Sequence, residues 1–449
     1  MCRLSHGFRA NIRDRATKRA CSPKQAASPS VTREDLTMSK PHILILGGWT
    51  ELVEKALGLG MDVSYLGSTK GTSYFDADLL KDCAYACDAN IERIGLCLAQ
   101  AKSIHRALPL TAVVSFSELG LETAAVIADN LRISGLDLDA VLNTRYKDTM
   151  RAKLSDYPDL QLPWKRVRSE EDLKHFFDQH GPGIIVKPIN GAASQGVHQI
   201  RSAEELERYV KSGGQYGGDG ILAEMLIDSD KLYSIESLSV DGRHDIITMS
   251  LSKLVGYPYS LVSHTVVPPY GVEPEETLRI ANLTRTFLSA IDLKNGVAHT
   301  EVKVGSDARP FLIESQTRVG GDRIWKMAEL TSGVHQIDMA LDNLVGRPVD
   351  SANAQKLGVA GFFCFLPPAG VVKAVCDPGF LKIDDAVIEY EFNVEAGDLL
   401  IDILDNTQRK GYVCARALSH DDLFEHVARI YKNIWIEYED GSFWRPSFA

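Results

Sequence analysis

Two apolar, β-branched runs separated by a turn-rich segment place the strongest constraint on how this chain folds. The first run covers residues 297–304, the second begins at Phe311, and the six residues between them include glycine, aspartate and proline. Such a pattern is typical of an antiparallel hairpin. Side chains alternate across a strand, so one face of the hairpin carries a series of polar groups. The members of this series are His299, Glu301 and Lys303 on the first strand and Glu314, Gln316 and Arg318 on the second.

Folding about the centre of the loop would bring Glu301 opposite Glu314. Two facing carboxylates repel each other, so the pair favours a cation between them. Hard oxygen ligands suit Mg²⁺, which usually takes one or two carboxylates and completes its shell with phosphate oxygens and water. The alternative is an ordinary hairpin whose charges face solvent, as most charge runs do.

Bulk properties exclude several classes of protein. The chain has 449 residues, of which 45% are hydrophobic and 24% charged, and this length predicts about three globular domains. A net charge of −11 argues against general binding to nucleic acid or to anionic membranes. No apolar run approaches the ~18 residues that span a bilayer. The eight cysteines lack the spacing of a disulfide framework, so we expect a soluble protein in a reducing compartment, by default the cytoplasm.

Residues 1–39 are rich in Arg, Ser and Ala and have almost no apolar periodicity. Such a basic extension cannot bury enough surface to fold alone, so we expect it to be disordered. Its acid-poor composition leaves a transit peptide open, and an extension without function is equally compatible with the strand that begins just after Met38.

The next segment has the pattern of a parallel α/β domain. A strand at 43–46 is followed by Gly47 and Gly48, a helical stretch and a second strand at 62–67. The loop lacks the third spaced glycine of a dinucleotide fingerprint. A strand at 112–116 and a helix at 118–130 continue the pattern.

A loop of small residues follows a strand that ends in lysine. The strand covers 183–188 and contains Lys187, and the loop runs from Gly191 to Gly196. Small residues let backbone N–H groups approach an anion, so the segment predicts a phosphate cradle, although it is not a Walker loop. An ordinary hairpin loop is the alternative.

Further elements are predicted on either side of this loop. A basic helix is expected from Asn143 to Leu154, and Glu224 interrupts an apolar strand, where a buried carboxylate needs a partner. The remaining expected elements are strands at 233–240 and 244–254, helices at 323–330 and 335–344, a strand at 362–366 and a helix at 421–431.

Five motifs in this order resemble the ATP-grasp superfamily, specifically its carboxylate–amine ligases and in particular the L-amino-acid ligases that make dipeptides. The resemblance covers residues 42–449. Each motif is weak alone, but the five occur in the family's order and at compatible spacing. They are Lys147-Asp-Thr-Met-Arg151, Val186-Lys187-Pro188 with its loop, Leu222-Ala-Glu224-Met-Leu226, Gly296-Val-Ala-His299-Thr-Glu301 and Glu314-Ser-Gln-Thr-Arg318-Val-Gly-Gly321.

The resemblance implies an α/β and α+β architecture. An N-terminal parallel α/β domain at 40–135 would precede an ATP-grasp domain at 136–350, made of a small subdomain (136–220) and a large one (221–350). A small strand-rich α+β subdomain would follow at 351–449. The architecture also implies a homodimer.

The resemblance further implies a role for each matching residue, with ATP and Mg²⁺ (or Mn²⁺) as cofactors. Lys147 and Lys187 would contact phosphates, and Gly191, Ser194 and Gly196 would close over them. Glu224 and the backbone of Leu226 would read the adenine, with Glu236 a substitute for the missing ribose-contacting acid. Glu301 and Glu314 would bind metal, with Gln316 in place of the family's asparagine. Arg318 and His264 would be catalytic. Both would also contact substrate, together with Gly321 and Asp322, and Asp322 would favour an ammonium or a basic side chain.

The implied reaction joins a carboxylate, expected from an L-amino acid, to the amine of a second amino acid through an acyl phosphate. ADP and phosphate would be released, with neither nucleic acid nor membrane involved. Two alternatives remain open. One is another carboxyl-activating ATP-grasp enzyme, of the biotin-carboxylase or purine-pathway kind, and the other is a nucleotide-binding protein without catalysis.

Overall fold

A parallel sheet forms the first part of the chain that the computed structural model describes, which comprises residues 40–68, 76–213, 220–350 and 355–448. The expected disorder at 1–39 lies outside these residues. Strand β1 is buried along its whole length, as its unbroken apolar sequence requires when helices cover both faces of a sheet. The sheet has the order β3-β2-β1-β4. Its elements are β1 (His42–Leu46), α1 (Thr50–Gly58), β2 (Asp62–Gly67), β3 (Tyr85–Asp88), α2 (Ile94–Ala107), β4 (Ala112–Val114), α3 (Leu121–Leu131) and α4 (Leu138–Arg145).

A four-stranded antiparallel sheet with the order β5-β8-β6-β7 follows. Two of its helices begin at serines whose hydroxyls accept a backbone N–H three residues later: Ser169 from Asp172 and Ser202 from Glu205. These caps satisfy amide groups that the first helical turn leaves unpaired. The elements are α5 (Lys147–Lys153), β5 (Trp164–Val167), α6 (Glu170–His180), β6 (Ile184–Pro188), β7 (His198–Ile200), α7 (Ala203–Lys211) and β8 (Ile221–Met225).

The helical, basic character expected between Asn143 and Leu154 is confirmed, and the structure divides this segment between two helices, α4 and α5. Tyr146 between them is extended, with φ −108° and ψ 110°. The amide of Lys147 donates to the carbonyl of Ile189 at 3.0 Å, a bond outside the helix. This bond fixes the start of α5 beside the small-residue loop.

An eight-stranded sheet with the order β13-β12-β9-β10-β11-β14-β18-β16 forms the centre of the chain. Its pairings are antiparallel, so neighbouring strands can be joined by short hairpins. The elements from Lys231 to Leu344 are β9 (Lys231–Val240), β10 (Arg243–Val255), β11 (Leu261–Val267), α8 (Pro274–Ala290), β12 (Gly296–Val304), β13 (Pro310–Gln316), α9 (Ile324–Ser332) and α10 (Gln336–Leu344).

The C-terminal segment extends this same sheet across the expected boundary at residue 350. Strand β14 pairs with β11, with Val267 opposite Ala360 and His264 opposite Phe363. A small sheet with the order β17-β15-β19-β20 lies further along the chain. The C-terminal elements are β14 (Val359–Cys364), β15 (Gly370–Val375), β16 (Val387–Phe392), β17 (Leu399–Leu400), β18 (Gly411–Ala417), α11 (His420–Asn433), β19 (Ile436–Tyr438) and β20 (Phe443–Trp444).

The hairpin register expected from the sequence is confirmed. Strands β12 and β13 pair antiparallel, and Glu301 lies directly opposite Glu314. A bulge after Glu301 leaves Ile313 without a ladder partner. Helix α8 covers the other side of the sheet with a buried apolar face that includes Phe287 and Leu288.

Replacing leucines on α8 tests how much this packing stabilises the fold. Leu288 is fully buried, so Leu288→Ala should destabilise the protein by ~2–5 kcal/mol through lost burial and a residual cavity. Leu278, on the same helix, is 58% exposed, and Leu278→Ala should change stability by less than ~0.5 kcal/mol. Thermal unfolding followed by circular dichroism measures both, and equal losses would contradict this view of the core.

Candidate nucleotide and substrate site

The facing glutamates of the hairpin each have a cationic neighbour. Glu314 Oε2 lies 3.0 Å from Lys147 Nζ, and Glu301 Oε1 lies 3.5 Å from His299 Nε2. Burial alone would raise the pKa of Glu314, but Lys147, Lys187 and Arg318 hold it below its usual range. Burial likewise favours a neutral His299, yet Glu236 and Glu301 raise its pKa to about 10. Glu314 is therefore charged at neutral pH, within a network that contains charges of both signs.

Lys187 and Glu224 form a second buried pair on adjacent strands, β6 and β8. Lys187 Nζ lies 2.6 Å from Glu224 Oε2, and Arg151 Nε donates to the other carboxylate oxygen at 2.6 Å. Burial lowers the pKa of Lys187. Burial would raise that of Glu224, but Arg151 and Lys187 lower it to about 2. Both oxygens of Glu224 are thus bonded to cations, while Glu224 also lines the cleft described below, so its expected contact with the adenine edge stays a prediction.

The small-residue loop folds back over the cleft between these pairs. Ala193 and Ser194 adopt positive φ angles of 53° and 61°, and Gly196 has φ 67°. Left-handed backbone is unfavourable for Ala and Ser, so it persists only where surrounding contacts hold it. Lys147 Nζ donates to the carbonyl of Gly191 at 2.8 Å. The loop is thereby tied to the same lysine that contacts Glu314.

One cleft lies between β6, β8, the loop and the hairpin. The expected site residues in its walls are Lys147, Lys187, Gly191, Ser194, Glu224, Glu301 and Glu314. The lining also has an apolar part, which includes Ile185, Leu232, Leu254 and Ile313. Leu226 is also there, although its amide donates to the carbonyl of Gly183 at 2.8 Å. Gly196 is in the loop but does not line the cleft.

A second cavity, of ≈ 720 Å³, adjoins the first and shares Ala193 and Asn406 with it. Its wall contains Arg318, Gly321 and Asp322. Arg318 Nη2 donates to Glu118 Oε2 at 2.8 Å, which ties it to the N-terminal segment. The cavity also has an aromatic side, where Trp49 and Trp325 stack with ring centroids 5.8 Å apart.

Asp322 does not present an unpaired charge to this cavity. Its carboxylate forms a two-pronged bond with Arg409, at 2.6 and 2.9 Å. A guanidinium that is already bound in this fork geometry compensates the carboxylate. The structure therefore gives no support to the expected preference for a basic substrate side chain.

The structure places His264 away from both cavities. Its ring stacks on Phe363 at 5.6 Å and meets the edges of Phe424 and Phe448. Burial lowers its pKa to about 4. A bulge between β10 and β11 shifts the pairing from Lys253–His264 to Leu254–Val262, so Val262 and not His264 reaches the cleft. The expected contact of His264 with substrate stays a prediction, and the residues that line the two cavities do not include it.

Glu236 is also placed elsewhere than expected. It is fully buried on β9, where it binds His299 Nδ1 at 2.5 Å and the amide of Gly320 at 2.9 Å. It lines neither cavity, so the structure does not support a contact with ribose. Its position instead supports the turn that carries the glycine pair.

Two further cationic groups at the cleft had no role in the sequence reasoning. Lys303 lines the cleft and donates to the carbonyl of Ser229 at 2.9 Å, and burial lowers its pKa to about 8. Its spacing of two from Glu301 already placed it on the same face. Arg151, quoted within a motif, was not expected to hold Glu224, because only the fold brings them together.

The residues expected at the metal are compatible with Mg²⁺ or Mn²⁺. Glu301 and Glu314 supply carboxylate oxygens, and the buried side chain of Gln316 has no hydrogen-bond partner among the described residues at either its oxygen or its nitrogen. Within that part of the chain, no group of three or more His, Cys, Asp and Glu side chains could hold a metal. Magnesium, however, commonly takes only one or two carboxylates from a protein, so this donor set fits it.

Comparison with known proteins agrees with this arrangement. Residues 181–326 match the ATP-grasp domain family. The chain carries an ATP-grasp domain. The matched residues include Lys187, Glu224 and both hairpin glutamates, while Lys147 lies before the match and Asn406 lies beyond it.

Relatives of the ATP-grasp domain include an alanine–anticapsin ligase of Bacillus subtilis, 27% identical over 51% of this chain and 52% of the relative. The chain thus spans about half the length of this curated relative. Among solved structures, an L-amino acid ligase from Bacillus licheniformis is similar, with a TM-score of 0.76 and 19% identity over 90% of this chain and all of the other. A phosphoribosylglycinamide synthetase from Anaerococcus prevotii has a TM-score of 0.66 and 16% identity, covering 89% and 100%. These likenesses show the fold, α/β and α+β with an N-terminal parallel sheet.

None of the described helices is long and apolar enough to cross a membrane.

Removing Arg151 tests the buried network of Arg151, Glu224 and Lys187. Arg151→Ala leaves Glu224 buried with only one cationic partner, so the protein should lose ~3–5 kcal/mol of stability. The exposed pair of Arg243 and Asp245 serves as the control, and Arg243→Ala should cost no more than ~1 kcal/mol. Thermal unfolding measures both, and an unchanged midpoint for Arg151→Ala would contradict the assignment.

Proposed function

We propose that this protein is an ATP-dependent ligase that joins the carboxylate of an L-amino acid to the amine of a second amino acid through an acyl phosphate. One observation carries the proposal: a cleft lined by two lysines and by the facing Glu301 and Glu314 adjoins a cavity that contains Arg318. Two adjoining sites of this kind can hold a triphosphate in the cleft and a carboxylate in the cavity. The alanine–anticapsin ligase and the L-amino acid ligase among the similar proteins support this choice of substrates.

The nucleotide would occupy the first cleft. Its adenine suits the apolar lining that includes Ile185 and Ile313, with Glu224 and the backbone of Leu226 as the groups that we propose to read its edge. Its phosphates would lie under the Gly191–Gly196 loop, beside Lys147 and Lys187. In this arrangement Glu224 also holds Lys187 in place.

The first chemical step brings an anionic carboxylate to a polyanion, so it requires neutralisation of charge. A carboxylate oxygen bonds to the γ-phosphorus while the bond from that phosphorus to the bridging oxygen breaks, giving an acyl phosphate and ADP. Lys147 and Lys187 neutralise phosphate oxygens, and Arg318 holds the carboxylate. Glu301, Glu314 and Gln316 would hold Mg²⁺ or Mn²⁺, which neutralises further phosphate charge when bound.

In the second step the amine nitrogen bonds to the acyl carbon, the bond from that carbon to the phosphate oxygen breaks, and the departing phosphate takes up the proton that the nitrogen loses. The amine would approach along Gly320 and Gly321, where the backbone has no side chain to obstruct it. Arg318 remains beside the carbonyl and stabilises the oxyanion that forms on it. The chemistry therefore requires no covalent enzyme nucleophile.

A matrix of L-amino-acid pairs tests the reaction. With ATP and Mg²⁺ we expect release of phosphate that depends on both amino acids, with a dipeptide identified by mass spectrometry. Turnover that instead requires bicarbonate or a purine-pathway amine would favour the other carboxyl-activating enzymes. ATP binding without turnover under every condition would favour a binding protein.

Glu314→Gln tests the metal wall directly. The change keeps the shape of the side chain but removes its charge, so kcat should fall on the order of 10²-fold or more. The far-UV circular dichroism spectrum at the assay temperature should match that of the wild type, which shows that the fold is intact, although the lost Lys147–Glu314 pair should lower the thermal midpoint. Glu437 on β19 pairs with Lys373 at the surface. Glu437→Gln is the control and should leave turnover unchanged. Near-normal turnover of Glu314→Gln would overturn the metal assignment.

A further inference from the structure

A short C-terminal loop, residues 405–409, lies at the junction of the two cavities. Asn406 lines both of them. Its amide donates to the carbonyl of Ala193 at 3.1 Å, and its Nδ2 donates to Ser194 Oγ at 3.3 Å. Its Oδ1 accepts the amide of Val262 at 2.9 Å. One side chain thus joins the small-residue loop (Gly191–Gly196), called the phosphate loop below, to strand β11.

The loop of residues 405–409 also contacts the wall of the second cavity, through Arg409. The carbonyl of Asn406 accepts Arg409 Nε at 2.6 Å, and Arg409 holds Asp322 with its two other nitrogens. Asp322 directly follows the glycine pair along which the amine would approach. A chain of hydrogen bonds therefore runs from the phosphate loop through Asn406 and Arg409 to Asp322 in the wall of the second cavity.

We propose that Asn406 is a positioning residue, which acts through Ala193 and Ser194 to hold the phosphate loop closed over the nucleotide and against the substrate cavity. The inference rests on the proposed function for its kinetic consequence, but not for the contact itself. It adds to the nucleotide site a residue that lies well beyond the end of the ATP-grasp match at 326.

The backbone of the loop explains why an outside contact is needed. Ala193 and Ser194 both have positive φ, a conformation that costs each of them free energy. The Asn406 bonds fall on these two residues, and Ser194 Oγ also donates to the carbonyl of Ser260 at 3.0 Å. Without Asn406, the loop should open more often and admit water to the acyl phosphate.

Hydrogen exchange of the loop tests the contact without any turnover. With Mg²⁺ and a non-hydrolysable ATP analogue, amides of residues 192–197 should exchange about tenfold faster in Asn406→Ala than in the wild type, as the loss of about one hydrogen bond implies. Ser194→Ala should have a similar effect from the other side, and the double variant should add little to either. Gln408→Ala is the matched control, because Gln408 accepts the amide of Leu404, the residue just before the loop, and lines neither cavity.

Kinetics then separate positioning from general structural support. Asn406→Ala should release more ADP per dipeptide than the wild type, with a lower kcat for the amide and a KM for ATP within about threefold, while Gln408→Ala keeps the wild-type ratio. Unchanged loop exchange in both Asn406→Ala and Ser194→Ala, or equal acceleration in Gln408→Ala, would overturn the proposal. If Asn406→Ala fails to fold, Ser194→Ala alone decides the exchange result. Absence of amino-acid-dependent ADP release in the wild type would refute the ligase assignment and leave the exchange test intact.

Discussion

Burying several charged groups in one place is the constraint on which the rest of this structure depends. Glu224 and Glu314 lie in the interior of the fold with Arg151, Lys187 and Lys147 against them. A buried charge without a partner costs several kcal/mol, so these side chains must meet with good geometry or the fold loses its stability. Their partners come from α5, β6, β8 and β13, which are far apart in the sequence. The pairs therefore fix how the small antiparallel sheet sits against the large one, and the cleft between the sheets follows from that position.

Much of the hairpin could be predicted, because its information is local. Strand alternation and a six-residue turn are enough to place Glu301 opposite Glu314, and the structure has this register. The parallel α/β opening was likewise readable from unbroken apolar strands. The helix from Asn143 to Leu154 could not be divided in advance, since the break at Tyr146 depends on a bond from Lys147 to Ile189, about forty residues later.

The site was predictable only where side-chain direction follows from simple alternation. His264 faces away from the cleft because of a bulge that no local signal announces. Glu236 lies on β9, where His299 and the Gly320 amide hold its carboxylate outside both cavities. Asp322 is paired with Arg409, which lies 87 residues later in the chain, and Asn406 contacts Val262, which lies 144 residues earlier. The roles of the phosphate loop, the metal ligands and Arg318 remain predictions, now with a geometry that suits them.

The eight-stranded sheet has a consequence for how the protein can be divided. Strand β11 is paired on one side with β10 and on the other with β14, which lies beyond residue 350. A fragment that stops at 350 would turn β11 into a free edge with a row of unpaired backbone groups and the apolar side chains of Val266 and Val267. Exposed edges of this kind pair with other chains and aggregate. The segment 181–326 that matches the ATP-grasp domain is therefore not expected to fold alone, because strands beyond it complete the sheet.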